Sequence, residues 1–93
     1  MAFKLIYHQD VKKIDLAKID SKRKTIIKRA IEKRLITHPE MYSKPLQRTL
    51  KGYWKLRVGD YRIVFKISAN EVHILGIIHR KEIYQQVKKR IRP

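Results

Sequence analysis

The run YWKLRVGDYRIVFKI, residues 53 to 67, alternates its side chains about a Gly-Asp pair and constrains the fold more than any other stretch of the chain. Gly59-Asp60 fits a two-residue hairpin loop with glycine at its first central position, which pairs Val58 with Tyr61 and therefore Arg57 with Arg62. Strand periodicity then assigns the faces. Trp54, Leu56, Val58, Tyr61, Ile63, Phe65 and Ile67 form one wall suited to packing on helices. Tyr53, Lys55, Arg57, Arg62, Val64 and Lys66 form the other, and a slip of one residue would exchange the two sets completely.

The rest of the chain supplies partners for that hairpin. Phe3, Leu5 and Tyr7 alternate with Lys4, Ile6 and His8, a short strand signal. Asp10 opens a brief helix on which Val11, Ile14 and Lys18 share a stripe. Asp20-Ser21 opens a longer one, with Ile27, Ala30, Ile31 and Leu35 at helical spacing, and His38-Pro39 closes it because the residue before proline is pushed out of the helical region. Its outer face, rich in lysine and arginine from Lys22 to Arg34, reads as a solvated surface or an RNA contact. Residues 40 to 51 read as a loop. EVHILGIIH, residues 71 to 79, is apolar on both faces and reads as an interior strand. A tight turn at Ala69-Asn70 pairs Ile67 with Val72, so His73, Leu75, Ile77 and His79 are expected on the basic face. Ile83, Val87 and Ile91 mark a terminal helix. The expected fold is α+β, in the order β-α-α-β-β-β-α: a small antiparallel sheet with an N-terminal helical hairpin packed on one face and a C-terminal helix. One domain spans residues 1–93, since a chain this short has room for one sizeable core.

Composition narrows the function. The 24 lysines and arginines against 8 acidic residues give a net charge of +16, a self-repulsion that an anionic partner would relieve; nucleic acid leads, ahead of an acidic protein or a membrane surface. No apolar run approaches the length of a membrane span, and MAFKLIYHQDVKK lacks the pattern of a signal peptide, so a cytoplasmic protein is expected. The absence of cysteine removes disulfides, thiol nucleophiles and sulfur-bound zinc. The four histidines have no ligand spacing, so neither a metal nor another cofactor is expected.

Arg57 opposite Arg62 is the feature that asks for an explanation. At about 5 Å two unit charges repel by roughly 1 kcal/mol in water and about 3 kcal/mol at an effective dielectric of 20. A lone pair of this kind could fan into solvent, but Lys55 and Lys66 share the face. Such a face suits a phosphate, because arginine grips phosphoryl oxygens with a planar fork of donors and stays charged. Cleavage of RNA without metal requires a base for the ribose 2′-hydroxyl, cations for the charge growing on the phosphoryl oxygens, and an acid for the departing 5′ oxygen. Arginine serves only the second need. Lys55, among cations, is the candidate proton acceptor as well as an electrostatic contact.

YWKLRVGDYRIVFKI followed by HILGIIHRKEIY resembles the RelE/ParE superfamily of bacterial and archaeal toxins, specifically its RelE-like branch. The similarity spans nearly the whole chain, including KPLQRTLKG and the terminal RKEIY. It implies an endoribonuclease, an mRNA interferase, that enters the ribosomal A site and cleaves messenger RNA, restrained by a cognate acidic antitoxin; the toxin alone is expected to be a monomer that forms a hetero-oligomer with it. By position, Lys55 matches a catalytic lysine, Arg62 and Arg80 match arginines that stabilise the phosphate, and Tyr84 matches a tyrosine that orients or stacks on the substrate. Arg57 and Lys66 join them as RNA contacts. A RelE-type enzyme can carry a further lysine two residues before the first; here Tyr53 stands in that place, able to stack on a base but uncharged. His79 could supply the missing acid or base, or could simply hydrogen-bond the backbone at a strand end. Two other functions compete: a ParE-like gyrase poison, against which the set Lys55, Arg62, Arg80 and Tyr84 argues, and a nucleic-acid binder that holds phosphates without cleaving them.

Overall fold

The computed structural model describes residues 2–46 and 52–91. Strand β1 (Lys4–Tyr7) leads into a helical segment wound as a π turn over Val11–Asp15 and a 3-10 turn over Leu16–Lys18. Helix α1 (Ser21–Ala30) follows and runs on as a π turn over Ile31–Leu35. Then come β2 (Lys44–Pro45), β3 (Tyr53–Val58), β4 (Tyr61–Ser68), β5 (Glu71–His79) and α2 (Ile83–Arg90). The expected order holds with one strand added. β2 lies within the stretch read as a loop, whose residues 47–51 fall outside those described. It is a two-residue edge strand, and its Lys-Pro content is what such an edge tolerates.

The five strands lie in the order β1-β5-β4-β3-β2. All pairs are antiparallel except β1 with β5, because the helices between carry the chain back to start again from the same end of the sheet. The hairpin register is the one that the alternation predicts: Val58 opposes Tyr61, and Arg57 opposes Arg62. Gly59 adopts φ +60°, the left-handed conformation that a glycine supplies at low cost. Ala69 takes φ 54° in the next turn, where Ile67 opposes Val72 as expected.

Each face of the sheet carries its own apolar layer. On one, Leu56, Ile63, Phe65, Val72, Ile74 and Ile77 meet Val11, Ile19, Ile27, Ile31 and Leu35 of the helical segments. On the other, Val64, Leu75 and Ile78 meet Ile83 and Val87 of α2, with Leu46 beside them. Fully burying such a side chain contributes roughly 1.5–3 kcal/mol. α1 begins at Asp20 as expected, but the Asp20 carboxylate accepts a hydrogen bond from Arg23 at 3.1 Å rather than capping the helix backbone.

Two further local features depart from the sequence reading. Ile14, expected on the buried stripe, is 39% exposed; the stripe is instead Val11, Asp15 and Ile19, and the middle position is a carboxylate. Asp15 forms a bidentate ion pair with Arg90 of α2, both N···O distances being 2.7 Å. Its Oδ2 also accepts the Ile77 backbone N–H at 2.9 Å, and Arg90 Nη1 donates to the Leu75 carbonyl at 3.1 Å. These bonds satisfy β5 where it runs past the end of β1. Gly76 leaves the space: a Cβ there would stand 2.7 Å from Arg90 Nη1.

The second departure is a β-bulge. Phe65 opposes Ile74 but Val64 opposes Gly76, so Leu75 is an extra residue and the parity of β5 reverses beyond it. His73 and Leu75 stay on the basic side, while Ile77 and His79 turn to the helical side.

Because Arg90 and Asp15 are nearly enclosed, with side chains 3% and 6% exposed, Asp15→Ala should strand a buried charge and cost about 3–5 kcal/mol in urea unfolding. The pair Asp15→Leu with Arg90→Met should recover most of that loss, and Gly76→Ala alone should cost about 1–3 kcal/mol through overpacking.

Candidate phosphate-binding face

Alternation along β3 and β4 sets Lys55 two residues from Arg57 and places Arg57 against Arg62. β2 adds Lys44 directly opposite Lys55. Together with Tyr42 these four cations line an open cleft of about 240 Å³. The sequence reading missed Lys44 and Tyr42. The signal was present in the Lys-Pro pair, which suits an edge strand, but two residues are too few for alternation to register.

The geometry shows how the Arg57–Arg62 juxtaposition is tolerated. Arg62 Nη1 donates to the Gly59 and Tyr61 carbonyls, at 2.9 and 3.0 Å, so its guanidinium is drawn onto the hairpin turn. Arg80 reaches the same turn from the end of β5: its backbone N–H donates to the Asp60 carbonyl at 2.8 Å, and its Nε lies 3.7 Å from the Asp60 carboxylate. Burial in the first place, then the nearby charges of Arg57 and Arg80, lower the pKa of Arg62 from the usual arginine value, with Asp60 opposing. Arg62 remains cationic at any relevant pH. Arg57 and Arg80 thus stand close enough to Arg62 to disfavour its charge, a repulsion that a bound anion would relieve.

The other expected site residues are divided. Tyr53 and Lys66 share the face but lie one row away, with the Lys66 Nζ 5.9 Å from the centre of the Tyr53 ring. Tyr84 sits on α2, 38% exposed, beside the buried Ile83 and outside the cleft lining. His79 does not join the basic face. The bulge at Leu75 turns its ring against Tyr61, edge-on at 5.6 Å, and its Nδ1 accepts the Lys81 N–H at 3.3 Å. Among the described residues no three His, Asp or Glu come together as metal ligands, and no helix is long and apolar enough to cross a membrane.

A family model described as the ParE toxin of the type II toxin-antitoxin system parDE matches residues 5–84. The chain belongs to this toxin family, within the RelE/ParE superfamily. Among solved structures, the toxin is similar to one from the Mycobacterium tuberculosis toxin-antitoxin complex RelBE2, with 26% identity over 86% of this chain and 93% of the other, at a TM-score of 0.78. A free-state mutant of the Escherichia coli toxin RelE has the same fold at a TM-score of 0.74, with 21% identity over 99% and 100% of the two chains. The Methanococcus jannaschii RelB-RelE complex matches at a TM-score of 0.66 and 23% identity, over 85% of this chain and 94% of that one. These likenesses are consistent with the RelE-like branch. Comparison with curated protein sequences gives no significant match.

If the cleft holds a phosphate, inorganic phosphate should raise the toxin's melting temperature where sodium chloride of equal ionic strength does not. At ten times its Kd the ligand contributes about 1.4 kcal/mol. Arg62→Gln should remove most of that shift, and Arg57→Gln should shrink it while stabilising the phosphate-free protein.

Proposed function

We propose that the toxin is a ribosome-dependent endoribonuclease that cleaves messenger RNA in the A site without a metal. The observation that carries this reading is the cleft in which Lys44, Lys55, Arg57 and Arg62 converge, with Arg80 beside Arg62 at the turn. In the proposed reaction the ribose 2′-oxygen attacks the adjacent phosphorus and gives up its proton to a base. The bond from phosphorus to the 5′ oxygen breaks, and that oxygen takes a proton from an acid, leaving a 2′,3′-cyclic phosphate and a 5′-hydroxyl. Arg62 and Arg80 hold the phosphoryl oxygens as negative charge grows on them, the kind of preorganised electrostatic contact that accelerates such reactions most. Arg57 shares that role.

The proton transfers fall to groups that line the cleft: Lys55, placed as the base, with Lys44 and the Tyr42 hydroxyl as the nearest proton carriers for the departing oxygen. His79 projects to the opposite face, so the proposed proton transfers do not use it. Tyr84 keeps a substrate-orienting role on the strength of its position in the RelE pattern alone.

Two of the similar structures are complexes of a toxin with its antitoxin. A net charge of +16 gives this toxin the same need, so an acidic antitoxin is the proposed partner, bound to a toxin that is otherwise monomeric and cytoplasmic. One observation favours a second reading, poisoning of DNA gyrase: the matching family model is described by ParE.

Growth and biochemistry separate the two. Expression of the wild type should arrest a host, and primer extension should find cuts in messenger RNA only when ribosomes are present. Arg62→Ala and Arg80→Ala should each lower cleavage at least about 100-fold and restore growth. Lys55→Arg, which retains the charge but is a far poorer proton acceptor, should lower it about 10²–10⁴-fold. Intact transcripts together with altered plasmid supercoiling would favour gyrase.

A further inference from the structure

A second cleft, of about 360 Å³, lies on the same sheet face as the cationic cleft and shares no lining residue with it. Four neighbouring strands each place one side chain of a single row in its wall: Ile6 of β1 opposes His73 of β5, His73 opposes Lys66 of β4, and Lys66 opposes Tyr53 of β3. The bulge residue Leu75 adds an apolar wall, only 8% exposed. The two clefts meet along β3, where Tyr53 and Lys55 project to the same side two residues apart, about 6.8 Å.

The two clefts differ in chemistry. The first holds four cations contributed by three adjacent strands, β2, β3 and β4. The second holds a single lysine, whose ammonium lies over the Tyr53 ring, and two imidazoles, those of His8 and of His73, the latter with its Nε2 3.1 Å from the Glu71 carboxylate. A carboxylate at the rim and only one ammonium make it a poorer anion site than its neighbour. Flat rings from Tyr7, His8, Tyr53 and His73, aliphatic walls and a few polar groups are instead what a planar, mostly uncharged ligand requires. In single-stranded RNA the group that fits is the base, which stacks on aromatic side chains while the backbone follows a basic track.

We propose that this second cleft is a nucleobase subsite: a base of single-stranded RNA stacks on Tyr53, against His73 and Lys66, while a phosphate of the same strand lies among Lys55, Arg57 and Arg62. The proposal rests on the nucleic-acid reading of the basic face and gives Tyr53 a task that a lysine in its place would not perform. The RNA is then gripped at two unlike points, one reading charge and one reading a flat ring, a short strand step apart.

The test uses a fluorescent 2′-O-methyl RNA trinucleotide, which cannot react through its 2′ oxygen, beside an abasic trinucleotide of the same backbone, with binding to the isolated toxin read by anisotropy. The wild type should bind the base-bearing probe at least about fivefold more tightly, the effect of about one stacked base. Tyr53→Ala should erase that difference without changing affinity for the abasic probe, Tyr53→Phe should preserve it, and His73→Ala should reduce it. Arg62→Gln should weaken both probes alike. Equal affinity of the wild type for the two probes would overturn the subsite while leaving the phosphate site standing. Binding of neither probe up to millimolar protein would overturn both. A Tyr53→Ala variant that loses both probes equally would count against stacking, because the ring would then serve the backbone rather than the base.

Discussion

The bidentate pair between Asp15 and Arg90 is the contact through which the two layers of this toxin hold each other. It joins a residue of the first helical segment to one in the last turn of α2, around the part of β5 that β1 does not cover. The carboxylate also receives the Ile77 N–H, and the guanidinium also donates to the Leu75 carbonyl, so the ion pair completes the strand's hydrogen bonding while it clamps the helix. A buried pair need not add net stability compared with an apolar pair of the same shape. What it does here is geometric. It ties the end of α2 to the first helical segment while the helix packs over Val64, Leu75 and Ile78 on the basic side of the sheet.

The bulge at Leu75 does for β5 what the ion pair does for α2. An extra residue lets one strand send His73 and Leu75 to the basic side and Ile77 to the helical core, and it sits directly before Gly76, where Arg90 crosses. The feature that removes His79 from the basic face therefore also adjoins the passage for the clamp. Around the hairpin turn the protein tolerates like charges by binding Arg62 to carbonyl oxygens and bringing Asp60 near Arg80. That arrangement leaves three arginines close together, and it is the electrostatic basis of the proposed phosphate site.

Much of this was legible beforehand, and where it was not the reasons differ. The hairpin faces followed from period-two counting because both strands are regular there. The stripes on α1 and α2 followed because their buried positions are apolar: Ile27, Ile31 and Leu35, then Ile83 and Val87. Asp15 escaped notice because a carboxylate in a buried stripe is visible only once its partner, 75 residues along the chain, is brought to it. β2 was too short to show a period, and Lys44 went unnoticed with it. His79 was assigned to the wrong face because alternation assumes that every residue of a strand takes a pairing place, and Leu75 does not. Of the expected site residues, Lys55, Arg57 and Arg62 meet in one cleft, Arg80 stands at its turn, Tyr53 and Lys66 belong to the adjoining one, and Tyr84 lies apart on α2.

By itself the sequence determined which residues alternate, where the chain turns and that it carries a large positive charge, since these depend on backbone sterics and side-chain chemistry over a few neighbouring positions. Tertiary structure alone decided the parity of β5 beyond its bulge, the joining of Lys44 to Lys55, and the position of α2. Each of these depends on hydrogen bonds or ion pairs between separate elements, from adjacent strands to residues 75 positions apart, whose energies exist only after those elements have met.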